Sequence, residues 1–196
     1  MGLAGVVWGS TLVVGAAVIG HAAVRTTDGA AVDRELFAAV NAGHGPGADR
    51  LLVGVTELGS IAAPATAAAL LTLSGRRRAA AHGMAAAGVT WLVLQGVKKL
   101  VDRPRPGDAD PTGTRALVAR PKATSWPSSH PAVLTAFTRV AGRALGVGAG
   151  GRAALSALDL TVAASRVYVG VHYPSDVASG LLLGRAIARM WPRGRR

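Results

Sequence analysis

Long apolar stretches alternate with short polar or proline-rich segments along the whole chain. Six of them approach the roughly 20 helical residues that a bilayer core requires: residues 3–24, 51–74, 79–97, 131–149, 153–170 and 176–191. The fourth carries Arg139 and Arg143 and the sixth Arg185 and Arg189, so both must reach a headgroup layer with their basic ends. Residues 25–50 mix charges with the patch Leu36 to Val40 and then run into Gly43, Gly45 and Gly47. That pattern predicts an interfacial amphipathic helix followed by a turn. Residues 105–126, with Pro104 just before them and Pro106, Pro111 and Pro121 within, predict an irregular loop outside the membrane. The expected fold is all-α: a bundle of six transmembrane helices with a short interfacial helix after the first span, forming one domain over residues 1–196.

Composition agrees with a membrane class. Half of the residues are hydrophobic and 16% are charged, and the mean hydropathy is +0.35. The apolar material is rich in alanine, glycine and valine, which lets helices pack closely in a bilayer. A net charge of +12 raises the question of nucleic acid. However, the arginines fall between apolar segments, as in Arg76, Arg77 and Arg78 and in the tail Arg193, Arg195 and Arg196, where they suit anionic headgroups. No nucleic-acid partner is expected. Without cysteine, disulfides, thiolate metal sites and cysteine nucleophiles are excluded. The first apolar stretch has no basic segment before it and is long for a signal-peptide core, so it is read as a retained span; Ala22-Ala23 leaves cleavage open.

Three polar clusters interrupt the apolar pattern: Lys98 to Pro106, Pro127 to His130, and Ser165 to Asp176. Six spans put both termini on one side and all three clusters on the other. With Arg76 to Arg78 and the tail cytoplasmic, the clusters face outward. In the first, Pro104 and Pro106 end the helix and turn Arg105 back toward Lys98; two converging cations can bind a dianion or simply anchor the interface. In the second, Ser128 or Ser129 suits an N-cap and Pro131 a first turn. The helix N-terminus then offers N–H groups to an anion beside His130; a plain cap with a surface histidine is the alternative. In the third, Pro174 lets Asp176 begin a helix and accept a bond from His172, leaving the other ring nitrogen free to attack phosphorus, with Arg166 neutralising oxygen charge. A divalent metal between His172 and Asp176 is disfavoured by the surrounding cations. Asp159 is expected to pair with an arginine across helices, and His21, His44 and His82 belong to no cluster.

Read together, Lys98 with Arg105-Pro106, Pro127-Ser128-Ser129-His130, and Ser165-Arg166 with His172 and Asp176 follow the patterns Lys-x6-Arg-Pro, Pro-Ser-Gly-His and Ser-Arg-x5-His-x3-Asp. In this the chain resembles the type 2 phosphatidic acid phosphatases, whose fold also occurs in soluble bacterial acid phosphatases and vanadium haloperoxidases. The resemblance covers residues 98–176. It implies that His172 is the nucleophile forming a phosphohistidine, Asp176 its orienting partner and His130 the general acid. It also implies that Lys98, Arg105, Ser128, Arg166 and the backbone N–H of Ser129 bind phosphate, with no metal and no cofactor. Ser129 departs from the pattern, standing where the family has glycine.

The implied activity is metal-independent hydrolysis of a lipid phosphate such as phosphatidic acid, phosphatidylglycerol phosphate or a polyprenyl (undecaprenyl) diphosphate, at the extracytoplasmic face of the cell membrane. Two alternatives stay open. One is a phosphotransferase in which an alcohol resolves the phosphohistidine. The other is a lipid-phosphate binding or flipping protein without catalysis.

Overall fold

The computed structural model describes residues 3–192 and is helical, with no strand among the described residues. The basic tail residues Arg193, Arg195 and Arg196 lie outside them. In chain order the elements are α1 (Leu3–Arg25), α2 (Thr27–Asn41), α3 (Pro46–Glu57), α4 (Ala62–Leu73), α5 (Arg77–Lys98), α6 (Pro106–Ala109), α7 (Ser129–Ala144), α8 (Ala149–Tyr168) and α9 (Pro174–Met190).

The small residues of α1 give it a dry face. Gly5, Gly9, Ala16, Gly20 and Ala23 are buried, and α1 packs along α9. Its other side exposes Val7, Trp8, Val14 and Val18, as expected of a helix facing lipid. Helix α7 is the centre of the molecule, in contact with α5, α8 and α9. Its buried Val133, Phe137 and Ala141 pack with Ala68, Ala80 and Ala87 of α4 and α5. On α9, Gly180 makes close approach possible: a Cβ there would run into the backbone carbonyl of Ser128. Any larger residue would push α9, and with it Asp176, away from the start of α7.

The expected helix after α1 is present as α2, with Thr26 capping it by accepting from Gly29 N at 3.1 Å. Its apolar side is divided. Phe37 is buried against Tyr173, with ring centroids 5.4 Å apart, while Val32 and Leu36 are exposed.

One expectation changes. Residues 51–74 do not form one straight helix: α3 starts earlier, at Pro46, and is bent by 62° from α4. The chain tightens through i→i+3 bonds from Leu58, Gly59 and Ser60 to Val55, Thr56 and Glu57, and the break seats Gly59 directly against α7. A Cβ on Gly59 would lie 2.8 Å from His130 Cβ and 2.7 Å from Val162 Cγ1. The six expected spans are met in part. Among the described residues, α1 and α5 are long and apolar enough to cross a bilayer, and α3 with α4 would make a third. Helices α7 and α9 fall short in length, at 16 and 17 residues, and α8 carries Arg152, Asp159 and Arg166, of which Asp159 and Arg166 are buried in the bundle interior.

Candidate active site

Helix α5 delivers Lys98 at its last turn, and the chain then runs extended to Arg105, whose φ of −74° and ψ of 160° place it at the N-cap of α6. The proline-rich loop folds back over this segment: Ser125 N donates to Arg103 O at 2.9 Å and Leu117 N to Val169 O at 3.1 Å. Its carbonyls hold the cations in place. Lys98 Nζ donates to Thr124 O at 2.8 Å, and Arg105 Nε donates to Ala123 O at 2.8 Å. Arg105 Nη1 donates to Val171 O at 2.7 Å and meets His172 Nε2 at 3.2 Å.

That last contact fixes the imidazole. A guanidinium only donates, so Nε2 must carry the lone pair and Nδ1 the proton. The proton then faces Asp176 Oδ2, 3.4 Å away. Burial pushes the His172 pKa down to about 3, with Arg105 and Arg166 adding to the effect and Asp176 opposing it, so the ring is neutral at ordinary pH.

Asp176 is itself held on every side. It stands at N3 of α9, where Oδ2 accepts from Tyr173 N at 2.9 Å. Ser125 Oγ donates to Oδ2 at 2.5 Å, and Arg103 Nη1 to Oδ1 at 2.5 Å. Arg103 continues the network to Ser175 Oγ at 2.7 Å and to Asp33 Oδ2 of α2 at 2.5 Å. Its guanidinium lies 4.3 Å over the Tyr173 ring. Arg103 is 7% exposed and Asp33 4%, so this is an interior charge cluster. The two carboxylates hold Arg103 above its ordinary pKa against the opposing effect of burial.

From the last turn of α8, Arg166 Nη1 donates to Thr56 Oγ1 at 2.7 Å, while its Nε is buried with no hydrogen-bond partner. The hydroxyls of Ser128 and Ser129 are buried and equally unpartnered. The expected side-chain cap of α7 is therefore not made. Ser128 occupies the N-cap position with extended backbone, but its N–H donates to Asp176 O at 3.0 Å instead. Two of these unmatched donors, Arg166 and Ser129, line one place. A cavity of about 290 Å³ is lined by Lys98, Arg105, Ser129, His130, Arg166 and His172, together with Gly59, Ser60, Ile61, Trp91 and Gln95. Ser128 and Asp176 stand behind this wall, both with 0% exposure.

The structure thus brings all three sequence clusters to one cavity. It also adds residues that the sequence did not mark: Arg103, Asp33, Ser125 and Ser175 around Asp176, Thr56 on Arg166, and the bend at Gly59 and Ser60. Arg103 sat inside the first cluster, yet its role is not legible there because its partners come from α2 and α9. Asp159, expected in an ion pair, accepts instead from Thr138 Oγ1 at 3.1 Å. Of the histidines outside the clusters, His44 stacks on Tyr168 and His82 accepts from Trp191 Nε1. Among the described residues, no three histidine or carboxylate side chains converge as a metal site would require. The cavity's cations and N–H groups instead fit a multiply charged oxyanion.

The family model of the PAP2 superfamily matches residues 78–195. A decaprenylphosphoryl-5-phosphoribose phosphatase of Mycobacterium tuberculosis is 36% identical over 117 residues, which cover 60% of this chain and 62% of that protein. Among solved structures, a transmembrane PAP2-type phosphatidylglycerolphosphate phosphatase of Bacillus subtilis superposes with a TM-score of 0.75 at 20% identity, covering 92% of each chain. Aquifex aeolicus LpxE superposes with a TM-score of 0.71 at 23% identity, covering 79% of this chain and 90% of that one. At such identities the two structures speak for the fold.

Proposed function

Because the chain belongs to the PAP2 superfamily, we propose that it is an integral membrane phosphatase that hydrolyses a lipid phosphate through a phosphohistidine. The observation that carries this reading is the arrangement at His172, where Nδ1 faces Asp176 and Nε2 faces the cation-lined cavity.

In the proposed reaction, phosphate oxygens are held by Lys98, Arg105, Arg166, the Ser128 hydroxyl and the N–H of Ser129. On substrate entry Arg105 Nη1 exchanges His172 Nε2 for a phosphate oxygen, freeing the lone pair to attack phosphorus. Burial and the cavity cations lower the His130 pKa to about 3, so His130 takes up its proton as the phosphate's negative charge enters and offsets those cations; the P–O bond to the lipid alcohol then breaks, and the leaving oxygen takes that proton from His130. Asp176 stabilises the charge that develops on the imidazole. Water then gives a proton to His130 and attacks phosphorus, the P–N bond breaks, and inorganic phosphate leaves.

The mouth of the cavity supports a lipid substrate. Ile61 and Trp91 line it and are 44% and 43% exposed, so an acyl or polyprenyl chain can lie along them while its phosphate reaches the cations. Phosphatidic acid, phosphatidylglycerol phosphate, undecaprenyl diphosphate and, from the Mycobacterium tuberculosis relative, a phosphorylated polyprenyl-linked sugar are the candidates. A phosphate-release screen over these lipids in detergent should show turnover of at least one of them, undiminished by a chelator. Release that is lost on chelation, or absent throughout, overturns the reading. In the same screen Ser129→Gly is expected to retain turnover and to reorder the substrates, because Ser129 presents an unpartnered hydroxyl to the headgroup. An unchanged ranking would deny that hydroxyl a role.

The topology we propose is a single six-span domain, with the pair α3 and α4 as one bent span and α7, α8 and α9 as three more. It places the catalytic cavity outside the cell membrane and both chain ends inside. A fluorescent reporter that folds only in the cytoplasm should light up when fused to the C-terminus; a dark fusion would reverse the orientation.

A further inference from the structure

A second cavity, of about 500 Å³, lies at the other end of the bundle, between the C-terminal halves of α7 and α9 and the N-terminal half of α8. Arg143 stands 13 residues after His130 on α7, which is roughly 20 Å along the helix axis. Four arginines line this cavity, Arg139, Arg143, Arg152 and Arg189, against the single carboxylate of Asp159.

Helix-end electrostatics accounts for half of these cations. Arg143 and Arg189 occupy the last turns of α7 and α9, where a cation complements the helix dipole, and Arg143 Nη2 donates to Ala188 O at 2.9 Å. Arg152 also reaches a helix end, its Nη1 donating to Val147 O just past α7 at 2.8 Å, but Arg139 has no such reason. Arg139 lies more than a turn before the end of α7. Its Nη2 reaches Ser156 Oγ at 3.3 Å, but its Nε is buried without an acceptor. Arg152 sits just inside α8, where the dipole is positive and a cation is disfavoured, and the N-cap Gly148 offers no side-chain cap. Asp159, which accepts from Thr138 Oγ1 at 3.1 Å, is one carboxylate and offsets at most one of the four positive charges. Four cations around one concave site, with the buried Nε of Arg139 lacking an acceptor, match an anion with several oxygens, which guanidinium forks bind in pairs.

We propose that this cavity is a second anion site that takes a phosphate group, either as the diester headgroup of an acidic phospholipid or as a small soluble phosphate. It is separate from the catalytic cavity and does not depend on the reaction assigned there.

The test is binding to the detergent-purified full chain, with phosphatidylglycerol in mixed micelles, phosphatidylcholine in the same micelles, and inorganic phosphate as three probes. Arg139→Gln/Arg152→Gln should weaken binding about tenfold, as the loss of two arginine contacts to a phosphate implies. Arg166→Gln should weaken phosphate binding in the catalytic cavity and leave the binding that depends on Arg139 and Arg152 unchanged. Phosphatidylglycerol bound in preference to phosphatidylcholine identifies a lipid ligand; inorganic phosphate bound with the same dependence on Arg139 and Arg152 identifies a soluble one. Binding as tight in Arg139→Gln/Arg152→Gln as in the wild-type chain, or phosphatidylglycerol binding lost in Arg166→Gln instead, overturns the proposal, as does failure of the wild-type chain to bind phosphatidylglycerol or phosphate. Should the double variant not fold, Arg152→Gln alone, at an exposed position, is expected to weaken binding about threefold.

Discussion

Replacing His172 with alanine is expected to lower phosphate release by at least about 10⁴-fold, because no other side chain in the cavity offers an oriented lone pair to phosphorus. Lys98, Arg105 and Arg166 can still hold the phosphate, so substrate binding should fall far less than turnover. The fold should survive. His172 leaves behind only its 3.2 Å contact with Arg105 and its 3.4 Å contact with Asp176, and both partners keep other bonds. Helical content and gel-filtration behaviour check this, with His172→Asn as the substitute if the alanine variant aggregates. A second readout comes from the neutral imidazole. In the unfolded chain His172 takes up a proton near pH 6.5, whereas in the folded chain burial delays this to about 3. Between those values the unfolded state binds more protons, so stability contributed at neutral pH is lost as pH falls through the window. The alanine variant lacks this term and should lose less stability than the wild-type chain between pH 7 and pH 4. Unchanged phosphate release in the variant would end the phosphohistidine mechanism.

The elements that sequence makes legible are those defined by local pattern. Apolar runs anticipate α1, α5 and α7 to α9, and the charge-and-patch pattern of residues 25–50 anticipates α2. Lys98, Arg105, His130, Arg166 and His172 are legible because their spacings tie each to a helix end, and helix ends in a bundle meet at its faces. What stays hidden is whatever depends on a partner far along the chain. Nothing local to Asp33 says that it will be buried opposite Arg103, 70 residues away. The bend between α3 and α4 is hidden for a similar reason: Gly59 reads as one small residue in an apolar run until His130 and Val162 are seen to occupy the space beside it. The capping reading of Ser128 misses because its backbone takes the N-cap position while its hydroxyl, buried and unpartnered, accepts from no N–H of the first turn of α7.

Removal of Arg103 should produce the largest loss of stability of any substitution near the site. Among the described residues, its guanidinium is the one cation in direct contact with two buried carboxylates, at 2.5 Å from each. Taking one partner from such a cluster leaves uncompensated charge in a medium that solvates it poorly, which costs about 3–5 kcal/mol. Arg103→Met is therefore expected to unfold at a markedly lower temperature or denaturant concentration. Arg103→Met/Asp33→Asn should recover part of that loss, because the variant carries one stranded carboxylate rather than two. Activity separates positioning from mere support. Arg103 touches Asp176 and not the cavity wall, so the variants should lose roughly 10²-fold in kcat as His172 becomes less well oriented, with little change in KM. Arg103→Lys keeps the charge but cannot fork to Asp33 and Asp176 together, and should fall between wild type and Arg103→Met in both measurements. If Arg103→Met/Asp33→Asn regained stability and full kcat alike, Arg103 would be a structural cation only, and Asp176 would be held well enough by Ser125 and the Tyr173 N–H.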